Sequence, residues 1–140
     1  MKFQLIDTDK TKILKSENLN HLFNKQTGFS ATWGKTEKDD PDFSPIGPFI
    51  LDIEISTKCS GVKGIGVCKF CYKSNTPDGE HMSFETFEKV MTKVHQVKTV
   101  GQIAMGIGDI SGIHATPDMW KMVDWCREHF IVPNVTVNGE

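Results

Sequence analysis

The chain has 140 residues, a formal charge of −2, 24% charged residues and 38% hydrophobic ones. That length supports one ordinary domain with a real core, and that balance excludes a disordered or fibrous chain. A near-neutral charge with a single arginine, Arg127, offers no evidence for nucleic acid or an anionic membrane surface as a partner.

Residues 1–47 read as a β-rich N-terminal extension. Phe3, Leu5, Ile13 and Leu14 flank the turn-rich Asp7-Thr8-Asp9-Lys10, which predicts a hairpin. A second hairpin is predicted around Lys25-Gln26-Thr27-Gly28, with Leu22, Phe23, Phe29 and Trp33 as apolar partners filling a core. Glu37 to Asp42, then Pro45, Gly47 and Pro48, make a polar, proline-marked connector.

From residue 48 to 140 the pattern changes to strand, helix, strand, helix, strand. Phe49 to Ser56 is the first strand. Ser83 suits a helix N-cap, with Glu85 and Glu88 in the first turn, and Phe84, Phe87, Val90, Met91 and Val94 recur as one helical stripe. Val100 to Ile107 is the second strand. Thr116-Pro117-Asp118 predicts an N-cap and an N1 proline for a second helix, whose inner face is Met119, Met122, Val123 and Cys126 with Trp120 or Trp125 on the flank. Val132 to Val137 is the third strand, weakened by Pro133. Alternation at these lengths implies βαβ units and a parallel sheet, whose carboxyl ends share one face. No signal peptide or bilayer-spanning run is visible, so a cytoplasmic protein is expected, with its cysteines as thiols or metal ligands.

Cys59, Cys68 and Cys71 follow the first strand in C-x8-C-x2-C spacing, on a loop that carries Gly61, Gly64 and Gly66. Three thiols on one loop can converge on one object, and the two-residue gap is typical of metal or cluster ligation. On a cuboidal 4Fe–4S cluster, three thiolates leave one iron open to a small molecule. Zinc is the competing metal, in a Cys3His site that recruits His81. Gly106-Ile107-Gly108-Asp109 after the second strand and Asn138-Gly139 after the third would share the loop's end of the sheet. Each of them alone is an ordinary turn former. Cys126, on a helix's inner stripe, reads as an inert core thiol.

A cysteine loop after the first strand that ends in Cys68-Lys69-Phe70-Cys71 resembles the signature of radical S-adenosylmethionine (radical SAM) enzymes. The glycine-acidic turn after the second strand and Val137-Asn138-Gly139 add to that resemblance. It implies an α/β fold, a partial (β/α) barrel of radical SAM type with about three βα units and parallel strands. It implies metal-ligand roles for Cys59, Cys68 and Cys71, and contacts to S-adenosylmethionine from Phe70, Gly106, Gly108, Asp109 and Asn138. The implied activity is binding of a 4Fe–4S cluster and reductive cleavage of S-adenosylmethionine to a 5′-deoxyadenosyl radical, which removes hydrogen from a substrate. The implied partner is an electron donor such as flavodoxin or ferredoxin. The first cysteine gap is eight residues where the family commonly has three, and Asp109 stands where the family usually has Glu. The family's barrel has more units, so the chain reads as the N-terminal part of a longer enzyme, or one half of a split one. The alternatives are a zinc-stabilised binding module without catalysis, and a cluster-binding fragment that needs its missing half.

Overall fold

The computed structural model describes residues 3–42, 44, 46–108 and 115–136. Its first sheet is an antiparallel meander of β1 (Gln4–Asp7), β2 (Thr11–Lys15), β3 (Asn20–Asn24) and β4 (Ser30–Trp33), in that spatial order. The two expected hairpins are therefore joined by a third pairing, β2 with β3, in which Leu14 faces His21 and Lys12 faces Phe23. Side chains alternate across each strand. One face buries Lys12 and Leu14 of β2 with His21 and Phe23 of β3. Phe29 and Trp33, expected in a core, are 61% and 41% exposed instead, because the turn and β4 lie at the sheet's margin.

The second sheet is parallel, in the order β5 (Ile50–Glu54), β6 (Gln102–Gly106), β7 (Val132–Val135). Helix α1 (Phe84–His95) links β5 to β6, and α2 (Met119–Glu128) links β6 to β7. Ile53 and Ile55 from β5 and its end, and Ile103, Met105 and Ile107 from β6 and its end, form one apolar sheet face. Against it pack Phe87 and Met91 of α1 and Met119, Met122, Trp125 and Cys126 of α2. Each fully buried side chain of this size contributes about 1.5–3 kcal/mol. Pro133 is accommodated because β7 is an edge strand, where a missing N–H costs least.

The expected fold class, an α/β partial barrel, is overturned. Four of the seven strands among the described residues belong to an antiparallel sheet, only two helices are present, and the three parallel strands form a small open sheet without a barrel pattern. The physical reason is that strand–helix alternation specifies which strands run parallel. It does not specify closure, which needs strand number, tilt and stagger that the periodicity does not encode. The other face of this sheet, with Asp52, Glu54, Gln102, Ala104 and Asn134, is polar and half-buried to exposed rather than covered by helices.

The meander's buried face sits on the amino ends of the parallel strands. Phe23 lies where a methyl on Gly101 would fall (2.7 Å), so the glycine admits the ring. The His21 ring stacks on Phe49, just before β5, with centroids 3.6 Å apart. Lys12 donates to the Val100 carbonyl at 2.8 Å, just before β6. Burial lowers the Lys12 ammonium pKa, an effect that the nearby Asp7 carboxylate opposes. The opposite, carboxyl ends are thus left to the cysteine loop.

The two helix starts are held differently. Ser83 Oγ accepts from the Thr86 N–H at 3.2 Å, and Ser83→Ala is expected to cost about 1 kcal/mol in urea-denaturation stability. The second helix departs from expectation: Thr116 is not its cap, and the helix begins at Met119 after Asp118. Asp118 instead accepts from the Phe84 N–H of α1 at 3.2 Å and pairs with Lys121 at 2.7 Å. One carboxylate thereby ties the amino ends of both helices together. Trp125 is the buried flank, and Trp120 is 66% exposed.

Candidate functional site

Residues 55–83, between β5 and α1, carry the three thiols. The excursion is closed at its base by paired backbone: Thr57 N–H to the Glu80 carbonyl (2.9 Å), Cys59 N–H to Thr76 (2.9 Å), Thr76 N–H to Thr57 (3.2 Å) and Met82 N–H to Ile55 (2.9 Å). Within it, Val62 and Gly66 exchange both backbone hydrogen bonds, at 2.9 and 3.1 Å, in a tight turn. Gly61 and Gly66 have φ of 81° and 83°, which a side chain would strain. A methyl on Gly61 would also strike the Gly66 backbone.

The thiols differ in environment. Cys71 is half-buried and held below the usual thiol range, first by the Asn75 backbone, against burial as the second-largest influence, with further help from the Lys73 and Ser74 backbone and the Lys73 charge. Ser74 adopts a left-handed φ of 55°. A lowered pKa favours thiolate, the form that ligates metal. Cys59 accepts the Gly61 N–H at 3.3 Å. Cys68 caps the turn that holds Cys71, its carbonyl accepting the Cys71 N–H at 3.1 Å. Cys126 is the contrast: fully buried on α2, its thiol is pushed up to about 12 by burial.

The carboxyl end of β6 meets this loop. The Gly106 carbonyl accepts the N–H groups of Ile55 (2.9 Å) and Ser56 (3.2 Å), and the Lys73 ammonium lies directly over Gly106 while pairing with Glu54 at 3.3 Å. A methyl on Gly108 would collide with Cys59 Cβ and lie 2.6 Å from the Lys58 carbonyl. Gly106 and Gly108 are thus small because the loop lies against them. Phe70 is 88% exposed on the outside of the loop, with Tyr72 at 90%. Asp109 and Asn138 lie outside the described residues.

Cys59, Cys68 and Cys71 share the loop, but among the described residues no three His, Cys, Asp or Glu side chains converge closely enough to hold a metal ion. His81 Nδ1 is engaged by Ser56 Oγ at 2.9 Å and approached by Thr116 Oγ1 at 3.4 Å, which ties the base of the loop to the approach to α2. The donor set fits an iron–sulfur group in its chemistry: three thiols on one excursion, with a backbone N–H donor already on the Cys59 sulfur. Holding such a group requires the loop to bring the sulfur atoms together.

Two contributors escape the cysteine spacing. Lys73 reads from sequence as one of four loop lysines, with Lys58, Lys63 and Lys69, that could offset cluster charge or simply face solvent. The spacing does not foretell that it covers Gly106. Asn75 stands in the polar stretch Ser74-Asn75-Thr76-Pro77, yet it is 4% exposed and its backbone is the largest cause of the lowered Cys71 pKa. A polar residue four positions after the last cysteine was the available signal. No described helix is long and apolar enough to cross a membrane. Comparison with known proteins returned no matching family model, no matching curated protein and no matching solved structure.

Proposed function

We propose that the chain is an iron–sulfur protein of the radical SAM type, or the cluster-binding part of one. Cys59, Cys68 and Cys71 are the ligands of a 4Fe–4S cluster, and S-adenosylmethionine is the molecule taken at the remaining iron. The observation that carries this reading is the single excursion that bears all three thiols, closed at its base by the Thr57–Glu80 and Cys59–Thr76 backbone pairs, with the Gly61 N–H on the Cys59 sulfur. N–H donors to sulfur lower the cost of thiolate charge and are among the protein's means of setting a cluster's potential. A merely structural thiol has no need of them, and Cys126 has burial instead.

When bound, the cluster supplies the electron that breaks a sulfonium C–S bond of S-adenosylmethionine and yields a 5′-deoxyadenosyl radical. The chain's own residues hold the site for this. The paired backbone between Thr57 and Glu80 fixes the loop's base, Gly108 lets Cys59 approach β6, and Lys73 places a cation beside the thiols. The reductant is an electron-transfer protein such as flavodoxin or ferredoxin, for which dithionite substitutes in a test.

Anaerobically reconstituted protein mixed with S-adenosylmethionine and dithionite is expected to form methionine and 5′-deoxyadenosine, read by liquid chromatography, at a rate that vanishes without reductant. A cluster-loaded protein that leaves S-adenosylmethionine intact would reduce the assignment to an electron-transfer or structural iron–sulfur site.

A further inference from the structure

Two buried side-chain polar atoms have no hydrogen-bond partner among the described residues: Ser44 Oγ in the connector before β5, and Asn75 Oδ1. The second is the informative one. Asn75 is 4% exposed. Its side-chain amide lies against the turn after β6, with Nδ2 3.0 Å from the position a methyl on Gly108 would take, and that same position collides with Cys59 Cβ. The amide therefore sits beside Gly108 and Cys59, where the loop meets the sheet.

A buried carbonyl oxygen without a donor is costly, and it persists where a ligand completes it. The turn chemistry of Ser74-Asn75-Thr76 does not need this oxygen. The Thr76 N–H goes to Thr57 and the Ser74 N–H to the Cys71 carbonyl. Replacing an unpartnered buried amide by a branched apolar group of similar size is neutral or stabilising, so nothing in the packing accounts for an asparagine here.

We propose that Asn75 is a ligand-binding residue of the thiol site, its side-chain carbonyl accepting a hydrogen bond from a protonated nitrogen of the small molecule held there. This rests on the iron–sulfur reading for the identity of that molecule, S-adenosylmethionine, whose amino group is such a donor. Asn75 is unlike the cysteines in that it holds the organic ligand and not the metal.

The test separates the two ideas. Wild type, Asn75→Leu and Asn75→Asp are reconstituted anaerobically, and iron, sulfide and the Kd for S-adenosylmethionine are measured, together with Tm of the metal-free proteins. Asn75→Leu is expected to keep the wild-type iron and sulfide content, to keep or raise the metal-free Tm, and to weaken S-adenosylmethionine binding by about tenfold or more. Asn75→Asp retains the acceptor and is expected to bind within about threefold of wild type. An unchanged Kd in fully loaded Asn75→Leu overturns the proposal. A lowered metal-free Tm in Asn75→Leu also overturns it, since it reveals a partner within the chain. If wild type itself takes up no iron, the iron–sulfur reading fails, and the metal-free Tm of Asn75→Leu still decides whether the oxygen is unpartnered.

Discussion

Alanine at any one of Cys59, Cys68 or Cys71 is expected to abolish formation of the iron–sulfur centre, while Cys126→Ala leaves it at the wild-type level. The expectation follows from the different positions of the four sulfur atoms. Three lie on a single excursion closed at its base by the Thr57–Glu80 and Cys59–Thr76 backbone pairs. The fourth is fully buried among Phe87, Met122 and Trp125 in the core between the helices and the parallel sheet, with its thiol pushed up to about 12. A thiol in that state is neither ionised nor accessible to metal. Losing one of three ligands leaves two, too few to hold a cuboidal cluster, so the change in iron content is all-or-none rather than graded. Iron and acid-labile sulfide assays on the four variants check this. Full iron content in Cys68→Ala would remove that residue from the ligand set, and loss of iron in Cys126→Ala would mean that the core has to be intact for assembly.

Acid is expected to weaken the junction between the meander and the parallel sheet. His21 is buried at that junction, stacked on Phe49 and bonded through Nδ1 to Thr32 Oγ1 at 2.7 Å. Burial, with the Lys12 cation adding to it, lowers its pKa to about 4 from the ordinary 6.5. Above pH 6.5 the imidazole is neutral in both folded and unfolded chains, and its full contribution to stability is present. Between pH 6.5 and 4 the unfolded chain takes up a proton that the folded one refuses, so stability falls with pH. Below about 4 both states are protonated and the loss stops. The total is of the order of 3 kcal/mol, at up to about 1.4 kcal/mol per pH unit. His95 works in the same direction, since burial and then the Lys98 charge lower its pKa too. Urea denaturation at pH 7 and pH 4.5 is expected to give a smaller difference for His21→Gln than for wild type. Equal differences for the two proteins would mean that His21 is protonated in the native state without penalty.

The positions of strands and helices were legible because local signals agree with packing at most of them. Phe87 and Met91 are buried one turn apart as their spacing predicts, and Ser83 caps the helix that carries them. The fold class was not legible. Periodicity reports which face of each element is apolar, not how many strands join a sheet or whether the sheet closes. The meander shows the same limit: its buried face uses Lys12 and His21 beside Leu14 and Phe23, and no apolar pattern would choose a lysine and a histidine for an interior. Their burial depends on Val100, Phe49 and Thr32, which lie far along the chain or on a neighbouring strand.

The candidate site divides similarly. Spacing is enough to single out Cys59, Cys68 and Cys71, and alternation puts Gly106 and Gly108 at the same end of the sheet. What spacing cannot reveal is which thiol is held below its usual range, because this depends on the backbone from Lys73 to Asn75. Asn75 was hidden for the same reason: the sequence marks a polar turn, and only the packing of the loop against Gly108 buries its side chain. Phe70, chosen from the motif it belongs to, lies exposed on the outside of the loop.

The most direct measurement is metal and sulfide analysis of the full chain after anaerobic reconstitution with iron, sulfide and zinc offered together. Cluster ligation by the three loop thiols predicts about four iron and about four sulfide per chain, with brown colour and little zinc. A colourless protein holding about one zinc and no sulfide would contradict it and make the loop a structural zinc site.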